Sequence, residues 1–181
     1  MFEHAMKLAK PCGAAQLGEV SNVSQRDFDA RETFCFRSVV PCLEYVSLLI
    51  KSALLLRTNR KGRVYVGFEK FSRMEAIIDR YLRIADVSER VYVFGEDIWQ
   101  PPRHPNMKLI PVASDSPMAR EWFVIADSST LRVALVASDE DGFDAPVLEA
   151  RRFRAIKTSD EQIVAQLAAA AEGLIDSSLA A

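Results

Sequence analysis

Two stretches of this chain end almost alike. Arg63-Val64-Tyr65-Val66-Gly67-Phe68-Glu69 is echoed by Arg90-Val91-Tyr92-Val93-Phe94-Gly95-Glu96. Both are crowded with β-branched and aromatic residues, as strands prefer. Between them Ser72-Arg73-Met74-Glu75 reads as a capping box, and Met74, Ile77, Ile78, Tyr81, Leu82 and Ala85 continue it at helical spacing. Strand, helix, strand is a βαβ unit, because parallel strands need a long crossover. Both strands then deliver a glycine and a carboxylate to the same edge of a sheet. In open α/β sheets that edge is where ligands bind.

The remaining pattern surrounds this unit. Pro41 suits the first turn of a helix from Pro41 to Arg57, with Leu43, Val46, Ile50, Ala53 and Leu54 on one face. Thr58 to Gly62 is a turn. Further strands are expected at Lys108–Ala113, Trp122–Ala126, Arg132–Ala137 and Leu148–Ile156, the last at the sheet edge. Prolines stiffen the loop from Trp99 to Pro105, and Asp139–Ala145 is an acidic loop. A second capping box, Thr158-Ser159-Asp160-Glu161, opens a helix with Ile163, Val164, Leu167, Ala171 and Leu174 inward. Residues 1–10 form a short amphipathic helix, and residues 11–36 are poorly patterned and read as loop. The expected architecture is an α/β sandwich, a mixed sheet of five or six strands flanked by helices. Its first pair is parallel and its later strands antiparallel.

Composition excludes several classes. At 181 residues with 49% apolar and 27% charged residues, the chain suits a soluble domain with a proper core. A net charge of −2, with acids and bases mixed, argues against a nucleic-acid partner. The most hydrophobic window, Cys42 to Leu56, holds Glu44 and Lys51 and is shorter than a membrane span, so it reads as a buried helix. The first ten residues lack the apolar run of a secretory signal, and a cytoplasmic location is expected. The three cysteines make no disulfide framework and, with two histidines, no zinc spacing.

An apolar helix leading into Val-Tyr-Val-Gly-Phe-Glu at 64–69 begins an ordered set. Arg80-Tyr81-Leu82, Val-Tyr-Val-Phe-Gly-Glu at 91–96, Glu-Trp-Phe-Val-Ile-Ala-Asp at 121–127 and Arg-Phe-x-x-x-x-Thr-x-Asp at 152–160 complete it. Together these resemble the DICT sensory domain, named for diguanylate cyclases and two-component systems. The resemblance covers residues 35–176, leaving 1–34 as an N-terminal extension and 177–181 as a frayed end. It implies a non-catalytic signal-input module linked to light responses. Such domains are usually joined to output domains. A free-standing copy would act through a partner, a cyclase, kinase or transcription regulator. The resemblance names no cofactor.

The candidate ligand-binding residues are Gly67, Glu69, Arg80, Gly95, Glu96 and Trp122. The glycines either let a ligand approach the backbone or permit a tight strand exit. Glu69 and Glu96 face one another as an acid–base pair, bind a cation, or are solvated. Arg73 and Arg80 share a helix face, and Arg80 pairs with Glu69 or Glu96 or binds an anionic ligand group. Trp122 either stacks on a flat molecule or packs in the core. Cys42, early in a helix, stands where the dipole lowers a thiol pKa, so Cys35 and Cys42 are the places for redox chemistry or chromophore attachment. Phosphate-loop, dinucleotide, zinc-protease and nucleophile-elbow motifs do not occur in the sequence. Two alternatives stand beside the sensory reading: a small-substrate enzyme using Glu69 and Glu96, and an interaction module whose amphipathic termini form a homodimer.

Overall fold

A computed structural model of the chain describes residues 1–56, 62–96, 98–142 and 145–179. Residues 58–61 of the turn expected at 58–62, residues 143–144 of the acidic loop and the last two residues, 180–181, lie outside the described residues.

The echoed stretches are strands β3 (Arg63–Lys70) and β4 (Arg90–Glu96), paired parallel with Val64 opposite Val91 and Val66 opposite Val93. Their crossover differs from the expected single helix. The chain leaves β3 through a 3-10 helix, Phe71–Ile77, before the α-helix Ile78–Val87. The capping box therefore falls inside 3-10 geometry.

Around this unit the sheet is larger than expected. In chain order the remaining strands are β1 (Ala15–Glu19), β2 (Thr33–Val39), β5 (Met107–Pro111), β6 (Glu121–Asp127), β7 (Arg132–Asp139) and β8 (Arg152–Thr158). The spatial order is β1-β2-β8-β7-β6-β3-β4-β5. Residues 11–36 are thus loop or irregular only in part. They supply β1, the start of β2 and a short helix, α2 (Gln25–Ala30), capped by Ser24 Oγ accepting from the Asp27 amide. Nor does β8 lie at an edge: it pairs with β2 on one side and β7 on the other.

The segment β6–β7–β8 is antiparallel as expected, but β5 runs parallel to β4. A proline-rich connection makes that possible. The ten residues between β4 and β5 can reach at most roughly 33–36 Å, enough to return along the seven-residue β4. The loop is pinned to the end of the preceding helix. Asn106 Nδ2 donates to the Ala85 carbonyl at 3.1 Å, and His104 Nε2 lies 3.0 Å from Asp86.

Helices cover both faces of the sheet. On one lie α3 (Val40–Leu56) and the helix Ile78–Val87, here α4, over Val64, Val66, Phe68, Val124 and Leu135. On the other lie α1 (Phe2–Ala9) and α5 (Glu161–Leu179), over Tyr65, Phe94, Phe123, Ile125 and Val136. Strand alternation explains the division: Val64 and Val66 face α3, while Tyr65 faces α5. Asp160, not Thr158, caps α5, its Oδ1 accepting from the Gln162 and Ile163 amides at 2.9 Å. The apolar faces of α1 and α5 are buried against their own sheet, with Phe2, Ala5, Leu167 and Ala171 at most 2% exposed. Among the described residues no helix is long and apolar enough to cross a membrane.

Candidate functional site

Strict alternation would send Glu69 to the α5 face, next but one after Gly67. It does not go there. Glu69 adopts φ 61°, a left-handed conformation that costs a non-glycine residue about 1–2 kcal/mol. The β3–β4 register slips over the same residues, between Gly67 and Lys70. This bulge re-aims the side chain, so that consecutive Phe68 and Glu69 open onto one cavity on the α3 side.

The cavity holds about 470 Å³. Two helical stripes form opposite walls. Glu44, Leu48 and Lys51 follow one another at i, i+4 and i+7 along α3. Arg73, Ile77 and Arg80 do the same along the 3-10 helix and α4. Phe68, Glu69 and Trp122 form the floor from β3 and β6, and Leu148 and Glu149 of the β7–β8 connection close one side.

Under the floor sits an ion network. Arg151, its side chain fully buried, donates from both terminal nitrogens to Glu69 at 3.2 Å and from one of them to Asp139 at 2.6 Å. Arg73 adds a 2.9 Å bond to Glu69 Oε2. Asp139 Oδ1 accepts the Asp141 and Gly142 amides. Burial pushes the Glu69 carboxyl up, while the hydrogen bond from Arg151 and the charges of Arg73 and Arg151 pull it back.

The upper wall differs. Lys51 is 6% exposed, and no hydrogen-bond acceptor among the described residues engages its Nζ, which lies 5.6 Å from the centre of the Tyr81 ring. Burial and the charge of Arg80 push its pKa down to about 8, with Glu44 opposing. Among the described residues Arg80 likewise forms no ion pair.

Of the sequence-derived candidates, Glu69, Arg80 and Trp122 therefore meet in one cavity. Gly67, Gly95 and Glu96 do not. A Cβ at Gly67 would run into the Phe123 ring, and one at Gly95 would lie 3.1 Å from the Phe71 backbone nitrogen. Both glycines thus serve close packing. Glu96 stands opposite Lys70 in the ladder, off the cavity wall. Trp122 faces the cavity with its ring edge-on to Phe153, while Phe123 faces α5. Arg80 pairs with neither Glu69 nor Glu96; Arg73 and Arg151 hold Glu69 instead. Burial raises the thiol pKa of both Cys35 and Cys42, so the helix start does not activate Cys42. Among the described residues no cluster of His, Cys, Asp or Glu could hold a metal ion.

A family model described as "Sensory domain in DIguanylate Cyclases and Two-component system", DICT, matches residues 47–140, just over half of the 181. The chain belongs to the DICT family. The match runs from the middle of α3 through β7 and so takes in Lys51, Glu69, Arg73, Arg80 and Trp122 of the DICT cavity. No curated protein matches the chain.

Solved structures that resemble the backbone of this DICT domain include polyphosphate kinase from Porphyromonas gingivalis. It is 12% identical over 74% of this chain and 22% of the kinase, with a TM-score of 0.47. TrmBL2, an archaeal chromatin protein whose structure shows a novel mode of DNA binding, is 12% identical over 92% of this chain and 55% of its own, at 0.48. NucT from Helicobacter pylori is 13% identical over 80% of this chain and 97% of its own, at 0.45. This chain thus spans less than two thirds of the first two proteins.

Proposed function

We propose that this DICT domain is a non-catalytic input module that takes a small molecule into the cavity between α3 and α4 and reports it by changing its association with a signalling protein. The observation that carries this reading is a preformed cavity of about 470 Å³, walled by two helices and floored by the sheet. That volume lies in the range of small-molecule sites, and its mixed apolar and charged lining is what such sites use. The family's sensory character supports it.

The responding element we propose is the 3-10 helix Phe71–Ile77, which carries Arg73 and Ile77 on the cavity wall. A 3-10 run of this length is uncommon, and its poorer hydrogen bonds make rearrangement inexpensive. The acid–base alternative is disfavoured because two arginines already neutralise Glu69 and Glu96 lies off the wall. The partner we propose is a cyclase, a kinase or a transcription regulator. A light response would enter through a chromophore in the same cavity.

The test is native mass spectrometry, with an absorption spectrum, of protein purified from its own host, beside Leu48→Trp. Leu48 stands at the mouth, 37% exposed, so the larger ring narrows the cavity without entering the core. A stoichiometric extra mass in the wild type that is absent from the variant supports the reading. Equal occupancy in both, or a bare polypeptide in both, overturns the small-molecule arm and leaves a protein partner to be sought.

A further inference from the structure

Resting on the cavity as the ligand site, we infer that its occupant is a small organic anion. Its acidic head meets Lys51 and Arg80, and its flat or aliphatic body lies along Leu48, Phe68, Ile77, Trp122 and Leu148. The inference comes from how the four basic groups near the cavity are used. Arg151 and Arg73 are spent: Glu69 and Asp139 accept from them at 2.6–3.2 Å. Lys51 and Arg80 are not. They approach from opposite walls, α3 and α4, and no carboxylate among the described residues pairs with either. A buried ammonium without acceptors is costly, and a second cation facing it adds repulsion. An anion between them would relieve both, through charge-assisted hydrogen bonds in a site shielded from water.

The acidic residues on the wall narrow the class further. Glu44 and Glu149 are exposed and belong to the rim, where water solvates them. They leave Lys51 unpaired but set negative charge at the entrance, which disfavours polyanions such as nucleoside triphosphates. A singly charged head with an apolar body fits both layers. Trp122 on the floor offers the flat surface for that body.

The experiment uses the whole chain and a matched pair of fluorescent probes: 8-anilinonaphthalene-1-sulfonate, an organic anion, and its neutral parent N-phenyl-1-naphthylamine. Binding is read by probe emission and by energy transfer from tryptophan, for wild type, Lys51→Met, Arg80→Gln and Leu48→Trp. Decanoate and inorganic phosphate serve as competitors. The anion should bind the wild type about tenfold more tightly than the neutral probe, and each cation variant should erase about that factor while leaving the neutral probe unchanged. Decanoate should displace the anion, and phosphate at equal concentration should not.

Equal affinity of the two probes for the wild type, or an anion preference that survives in both cation variants, overturns the inference. The ligand site would still stand if Leu48→Trp abolished binding of both probes. Displacement by phosphate as effective as by decanoate overturns the amphipathic part. Probes that bind Leu48→Trp as well as wild type sit outside the cavity, and that outcome overturns the site itself. Arg80 is half-buried, so Arg80→Gln keeps the inference falsifiable should Lys51→Met fail to fold.

Discussion

Two lysines of this domain are almost wholly buried, and their surroundings could hardly differ more. Lys157, 2% exposed on β8, donates to the Phe28 and Arg31 carbonyls at 2.8 Å and to Ser159 Oγ at 3.2 Å, so all three of its N–H bonds are used. Its ammonium also lies 4.7 Å from the Phe28 ring centre. It ties the end of α2 to the sheet. Lys51, 6% exposed on α3, has one aromatic ring and an open cavity. Burial pushes both down to about 8. Burial and a shifted pKa therefore do not separate a structural lysine from a binding one. The count of satisfied donors and the space in front of them do.

The largest effect should come from a third buried cation, which belongs with Lys157. Arg151→Met leaves Glu69 and Asp139 buried with most of their countercharge gone, and should cost about 3–5 kcal/mol in denaturant unfolding. A loss below about 1 kcal/mol would mean that water reaches the network.

Lys157→Met leaves the Phe28 and Arg31 carbonyls at the end of α2 without their donor and should cost about 2–3 kcal/mol by the same measurement. If it proves neutral, the contrast between the two lysines collapses.

Lys51→Met should do the reverse and stabilise the domain by about 1–3 kcal/mol at pH 7, because a buried ammonium without acceptors becomes a thioether that packs. The sign can be checked by titration. With a folded-state pKa of about 8 against 10.5, the unfolded chain holds the proton more tightly, so the Lys51 penalty is full below pH 8 and fades as pH rises to 10.5. The groups bearing on Lys51 are Glu44 on its own helix and Arg80 and Tyr81 on α4. The stability gap between Lys51→Met and wild type should therefore narrow by up to about 3 kcal/mol over that interval, and Lys157 cancels because both proteins carry it. A pH-independent gap would refute the assignment.

The smallest effect concerns the charge held at the strained residue. Glu69→Gln keeps the side chain's size at the φ of 61° but removes the charge shared by Arg73 and Arg151 and turns one amide nitrogen toward a guanidinium donor, and should cost about 1–2 kcal/mol, less than Arg151→Met. A larger loss would place the main anchor of the network at Glu69 rather than at Arg151.

Much of the scaffold was legible because periodicity and turn chemistry agreed. The echoed strands, the apolar helix from Pro41 and the continuous apolar run at 122–126 all announce themselves. β1 did not: Ala15-Gln16-Leu17-Gly18-Glu19 has no β-branched residue and survives by pairing with β2 at the edge. The parallel strand ends led toward the cavity, since Glu69 and Trp122 line its floor and Arg80 its wall. Lys51 was visible in the sequence, but as one charge in an apolar helix it argued only against a membrane span. The spacing of Glu44, Leu48 and Lys51 could have shown that one face of that helix opens onto something polar. Arg151 gave no signal, because Arg151-Arg152-Phe153-Arg154 looks like a solvated run until the bulge at Glu69 brings a carboxylate to it.

The placement of β8 between β2 and β7 bears on how the molecule is made. Within the sheet, β1 and β2 reach the rest of the protein only through a strand that leaves the ribosome more than a hundred residues after them. Until that strand arrives, the parallel β1–β2 ribbon has no third partner, while β3 to β7 can already assemble. The nascent chain should therefore close from its middle outward, and a ribosome paused before Arg152 would display a nearly finished core with an unclaimed strand edge, the kind of surface that chaperones protect and that neighbouring chains invade.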